Sequence, residues 1–166
     1  MMELGQRTRV EGSDELPRFY VRLTTNNRRT NVETSWMVLD RLNVFSNHRG
    51  VYLSIPIDSV TRQKLDDVET FVKDNVKIPN ELLNKGRGYK PLHRSETMNV
   101  LVNDPCDCFV YQANKEFDIV SLQRYKNRRA RYKFNIGLTN VYIGPHRDGS
   151  SVSIVPYIAI IDVEEV

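Results

Sequence analysis

The 166-residue chain has little of what most catalytic or secreted proteins display: two cysteines, three histidines and one tryptophan. Cys106 and Cys108 stand two apart, where a disulfide is strained, and one pair cannot staple a domain of this size. Free thiols and an intracellular setting are therefore expected. No stretch approaches the roughly 20 apolar residues that span a bilayer. The opening MMELGQRTRVEGSDELP lacks the apolar segment of a secretory signal. No membrane association is expected, and residues 1–16 read as a flexible polar lead-in to a single domain over 17–166.

Catalytic signatures are missing as well. His48, His93 and His146 each lie in or beside a turn, outside any catalytic or zinc motif. There is no phosphate loop, no G-x-S-x-G and no H-E-x-x-H. Asp104, Cys106, Asp107 and Cys108 lack the second ligand pair that zinc ordinarily needs. Asp66–Asp67 and Glu164–Glu165 read as ordinary solvated carboxylates. The sequence thus points away from an enzyme, and no metal or cofactor is expected.

What is present is an uneven charge. Segment 85–94 (KGRGYKPLHR) holds four Lys/Arg and segment 124–133 (RYKNRRARYK) holds six, with no acid in either. These ten of 24 basic residues leave 14 to face 21 acidic ones elsewhere. Two short cationic segments on an acidic body point to a polyanionic partner better than the small net charge does.

Hydrophobic period supplies the fold class. Residues 18–24 (RFYVRLT) alternate as a half-buried strand, with Phe19, Val21 and Leu23 on one face and Tyr20 and Arg22 on the other. TNNRRTN reads as a loop, NHRG as a turn, and 51–57 (VYLSIPI) as a strand whose end is set at an edge or bulge by Pro56. From Asp58 the apolar spacing lengthens through Val60, Leu65, Val68, Phe71, Val72 and Val76, which predicts a long helix capped by Asp58 or Ser59. PNELLNK reads as a short helical turn closed by Gly86. Strands return at MNVLV, CFVYQ, FDIVSLQ, RYKFNIGLTNVYIG and SVSIVPYIAIIDV. The expected class is mainly β (α+β): an OB-like five-stranded barrel with one long helix and extra N-terminal strands.

In Arg124, Tyr125, Lys126, Arg128, Arg129, Arg131, Tyr132 and Lys133, cations alternate with rings. Cations neutralise phosphates and release counterions, and tyrosine faces can stack bases at about 1–3 kcal/mol each. Phe134 instead begins the apolar alternation Phe134, Ile136, Leu138 and belongs to the core. A glycine-bearing second segment offers Lys85, Arg87, Tyr89, Lys90, His93 and Arg94. A third group brings Phe19, Tyr20, Arg22, Arg28, Arg29 and Trp36. Helix-turn-helix, zinc-finger and RNP patterns are lacking, which directs attention to single strands.

The pieces SIPIDSVTRQKLDDVETFVKDNV, GYKPLHRSETMNVLV, YKFNIGLTNVYIG and SVSIVPYIAIIDVEEV resemble, in layout over about residues 50–166, the OB-fold single-stranded DNA-binding proteins of viruses, phages and DNA mobile elements. The first looks like the helix set beside the barrel, the second like the Y-x-P-L lead into a strand. The resemblance implies a protein that coats single-stranded DNA in replication, in a host nucleus or cytoplasm if viral. It also implies replication proteins as partners docked by an acidic C-terminal tip. Here Asp162, Glu164 and Glu165 are few and follow a strand without a linker, a departure from that pattern. The alternatives are an RNA- or duplex-binding accessory factor and a virion or protein-interaction component. Unpaired strand edges make self-association plausible.

Overall fold

The computed structural model describes residues 1–9, 18–48, 50–78, 89–92, 96–102, 109–112, 125–144 and 152–166. In chain order its elements are β1 (Met2–Leu4), β2 (Thr8–Arg9), β3 (Phe19–Thr25), β4 (Arg28–Arg29), β5 (Asn31–Glu33), β6 (Met37–Leu39), β7 (Asn43–Asn47), β8 (Gly50–Pro56), α1 (Ser59–Asn75), β9 (Tyr89–Lys90), β10 (Thr97–Val102), β11 (Phe109–Gln112), β12 (Ala130–Ile143) and β13 (Val152–Glu164). The protein is mainly β with a helix, as its hydrophobic periods lead one to expect. Both antiparallel and parallel pairings occur, and no pairing among the described residues closes a barrel.

The chain divides into two compact units, each assembled from three separate stretches. The first comprises Met1–Thr30, Gln63–Leu92 and Leu138–Val155. Its centre is β3, paired antiparallel with β12 over Phe19–Arg22 and Asn140–Ile143. On β3, Val21 and Leu23 are buried and Tyr20 and Arg22 exposed, the alternation legible in the sequence. Strands β1 and β2 pair with β3, so Met2–Leu4 and Thr8–Arg9 are not the free lead-in expected of residues 1–16. Strands of two and three residues are too short to show a period, which is why they escape a sequence reading. TNNRRTN is likewise no simple loop. Asn26 (φ 52°) and Asn27 (φ 62°) make a tight turn, and Arg28–Arg29 returns as β4 against Thr24 and Thr25. Two successive positive φ angles are the geometry of a type I′ hairpin, and asparagine tolerates it.

The first unit also holds most of α1. Leu65, Val68 and Val72 are buried along it. The line continues N-terminally to Thr61, 1% exposed, and not to Val60, which is 59% exposed despite its apolar character. Helical geometry decides this, since Thr61 stands one turn before Leu65. Asp58 caps the helix, its Oδ1 accepting the Thr61 N–H at 2.7 Å. Glu69 is buried and accepts the Leu92 N–H, which holds the chain after β9 to the helix.

The second unit comprises Asn31–Arg62, His93–Gly137 and Pro156–Val166. Strands β7, β8 and β10 form an antiparallel series, and β13 joins β10 and β11 in parallel. The first half of β12 pairs with β5 and β6. Its core is lined by Leu53, Ile55, Met98, Val100, Ile161 and Val163, with Tyr132, Phe134 and Ile136 from β12. Gly137 is required by close approach: a Cβ there would overlap the ring of Tyr157. Pro56 ends β8 on an exposed position, as expected.

Candidate nucleic-acid interface

The basic segment enters the structure at Tyr125. A turn follows, with the Arg128 N–H bonded to the Tyr125 carbonyl at 3.2 Å, and β12 begins at Ala130. Strand alternation then sorts the residues. Ala130, Tyr132, Phe134 and Ile136 face inward, while Arg131, Lys133 and Asn135 lie on the opposite, partly exposed face.

Neither tyrosine is placed for the expected stacking role, Tyr132 by its strand phase and Tyr125 by its burial ahead of β12. Tyr125 and Tyr132 are both 0% exposed and offer no face to a base. Their rings meet edge to face at 6.4 Å, and Tyr132 stacks on Phe134 at 6.1 Å. The Tyr132 hydroxyl donates to the Arg128 carbonyl at 2.7 Å, so the buried polar atom is satisfied. Burial raises the Tyr132 pKa, and the neighbouring Tyr125 adds to the rise. The physical reason is strand phase: Tyr132 is two residues before Phe134 and shares its face.

The ring that remains accessible on this surface is Trp36, half-buried just before β6. The Arg131 guanidinium lies 5.5 Å from its centroid and the Lys133 ammonium 5.9 Å. Both distances suit a cation held over a π face. Trp36 is therefore neither a core residue nor a bare platform, but a ring approached by two cations from one strand.

The cations are also paired with acids that a sequence reading treats as bystanders. Arg128 bonds to Glu165, Arg129 lies 3.5 Å from Asp40, Arg131 3.4 Å from Glu164, and Lys133 3.5 Å from Glu33. Apart from Lys133, whose side chain is 28% exposed, every partner is more than a third exposed. Exposed pairs of this kind contribute about 0–1 kcal/mol each and weaken in salt. Asp162 stands on the same face of β13 as Glu164. Burial raises its pKa, Lys133 opposes that rise, and Glu33 adds to it. The two-residue spacing of Asp162 and Glu164 is the one local signal that could have placed them together.

Lys126 and Arg129 are exposed in the turn and at its end. Tyr20 and Arg22 belong to the first unit, as do the backbones of Tyr89 and Lys90 in β9, which pairs in parallel with β13. Arg124, Lys85, Arg87, His93 and Arg94 lie outside the described residues, as do Cys106 and Cys108. The structure thus gathers Lys126, Arg128, Arg129, Arg131, Lys133 and Trp36 within one unit. Among the described residues no group of three or more His, Cys, Asp or Glu is placed to hold a metal ion, and no helix is long and apolar enough to cross a membrane. No family model, curated protein or solved structure matches this chain.

Proposed function

We propose that the chain binds single-stranded nucleic acid, DNA foremost, through the outward face of β12 and its flanking Trp36. The observation that carries this reading is the cluster Arg131–Trp36–Lys133, in which a half-buried ring has two cations of one strand face at 5.5 Å and 5.9 Å from its centroid. A base stacking on Trp36 gains about 1–3 kcal/mol, and its phosphates take the place of weakly held carboxylates on Arg131, Lys133, Arg128 and Arg129. The exchange is favourable because a polyanion returns condensed counterions to solvent, whereas the internal pairs release none. Replication of DNA inside a cell, an OB-like arrangement of the strands, self-association and partner replication proteins belong to the same proposal.

Binding of a labelled oligothymidylate to the full chain tests it. The double substitution Arg131→Ala with Lys133→Ala should weaken binding at low salt by about tenfold or more and flatten the salt dependence by roughly 1.4 logarithmic units per decade, 0.7 for each lost phosphate contact. Equal binding by wild type and the double variant would overturn the reading. Competition by matched RNA and duplex assigns the nucleic-acid class: single-stranded DNA should compete best.

A further inference from the structure

We propose that the solvent face of β3, in the first unit, is a second and separate foothold for single-stranded nucleic acid, with Tyr20 as stacking ring and Arg22 and Arg29 as phosphate contacts. The proposal shares its ligand class with the function proposed above and stands on different residues.

Strand geometry builds this face. Tyr20, Arg22 and Thr24 are two apart and lie on one side of β3, opposite the buried Val21 and Leu23. Across the strand pairs, Tyr20 stands beside Tyr142, Arg22 beside Asn140, and Thr24 beside Arg29. The row runs over about 13 Å of strand. Arg22, Arg29 and Asn140 are exposed, and Tyr20 is 43% exposed. Tyr142 meets Tyr20 edge-on at 5.5 Å and 61°. A Cβ on Gly144 would lie 2.7 Å from the Tyr142 hydroxyl, so Tyr142 leans over that glycine. Tyr20 thus has a packed tyrosine neighbour and a side that is partly open to solvent.

The charge around it is mainly positive, with Glu3 opposite Thr24 as the one acid on the row. Within residues 1–9 and 18–30 there are six arginines and one acid, Glu3. Among the described residues no carboxylate forms an ion pair with Arg22 or Arg29, unlike the cations of β12. An edge-to-face tyrosine pair supports a sheet by about 0.5–1.5 kcal/mol wherever it stands, and that role requires no arginines. A ligand that needs both a flat ring and positive charge is a nucleotide strand.

Calorimetric titration of the full chain with an oligothymidylate of about eight nucleotides, within the site size of one small binding module, tests the inference while Trp36 emission is followed in parallel. The wild type should take two equivalents. Tyr20→Ala with Arg22→Ala should take one and leave the Trp36 response unchanged. Arg22→Glu, which removes no packed ring, should lose the same equivalent with an unaltered far-ultraviolet dichroism spectrum. Two equivalents persisting in these variants, or a wild type saturated at the one equivalent that Trp36 reports, would overturn the second foothold and leave the first intact. Binding without a Trp36 response that vanishes in the variants would sustain β3 and remove the β12 site. Absence of any binding removes both. Equal competition by polyglutamate would show a face that reads charge alone, contrary to the stacking role of Tyr20.

Discussion

Tyr132 illustrates how a side chain can be assigned to core or surface by its phase on a strand. Its ring is enclosed beside Tyr125 and Phe134, and its hydroxyl reaches the Arg128 carbonyl. Tyr132→Phe should cost about 1 kcal/mol, the net worth of one buried hydrogen bond, and Tyr132→Ala about 3–5 kcal/mol, as for other large core rings. Urea unfolding measures both, and neither prediction depends on a ligand. Had Tyr132 been a stacking platform, alanine would have changed binding and spared stability. Asp162 gives a second test at this scale. Its carboxyl is lifted by burial, so the folded chain holds that proton more tightly than the unfolded chain. Stability from this group is therefore greatest below the ordinary carboxylate range and falls as pH rises through it toward the raised value. Asp162→Asn should remove that fall, raising the thermal midpoint near neutrality while leaving it nearly unchanged in acid.

At the scale of elements, β12 organises the second unit's candidate surface because it alternates strictly from Ala130 to Ile136. Gly137 sits within it, under the Tyr157 ring. Gly137→Ala should destabilise by about 1–3 kcal/mol through overpacking, and Tyr157→Ala in the same chain should recover part of that loss; thermal or urea unfolding of the two variants checks it. Much of this strand was legible beforehand. The alternation of Phe134, Ile136 and Leu138 extends back to Tyr132 without a break, but the dense arginines around Tyr132 mask its core character in the sequence. β3 was legible for the same reason of period. The helix was legible in extent and in its Asp58 cap, and only its buried line differs at the first turn, because Val60 is apolar and Thr61 is not, while burial follows position. The short β1, β2, β4 and β5 were not legible, since their pairing is fixed by distant partners and not by their own two or three side chains.

For the whole molecule, the uneven charge has an internal answer that a linear reading cannot see. The acidic remainder supplies Glu33, Asp40, Glu164 and Glu165 to the cations of residues 128–133. Those contacts join residues up to 100 positions apart in sequence, so no local pattern announces them. Each unit is also stitched from three stretches of chain, which hides the division from any scan for linkers. If the acids compete with phosphate, Glu164→Gln with Glu165→Gln should tighten binding of single-stranded DNA at low salt by roughly two- to fivefold per pair, an effect that shrinks as salt screens the pairs; anisotropy titrations at two salt concentrations read it.

The central claim concerns Trp36, which as the one tryptophan of the chain reports a single place. Titration of the protein with an oligothymidylate at low salt should quench its emission saturably, salt should restore it, and Arg131→Ala with Lys133→Ala should abolish the change. Emission that stays constant while the same oligonucleotide binds would contradict the account.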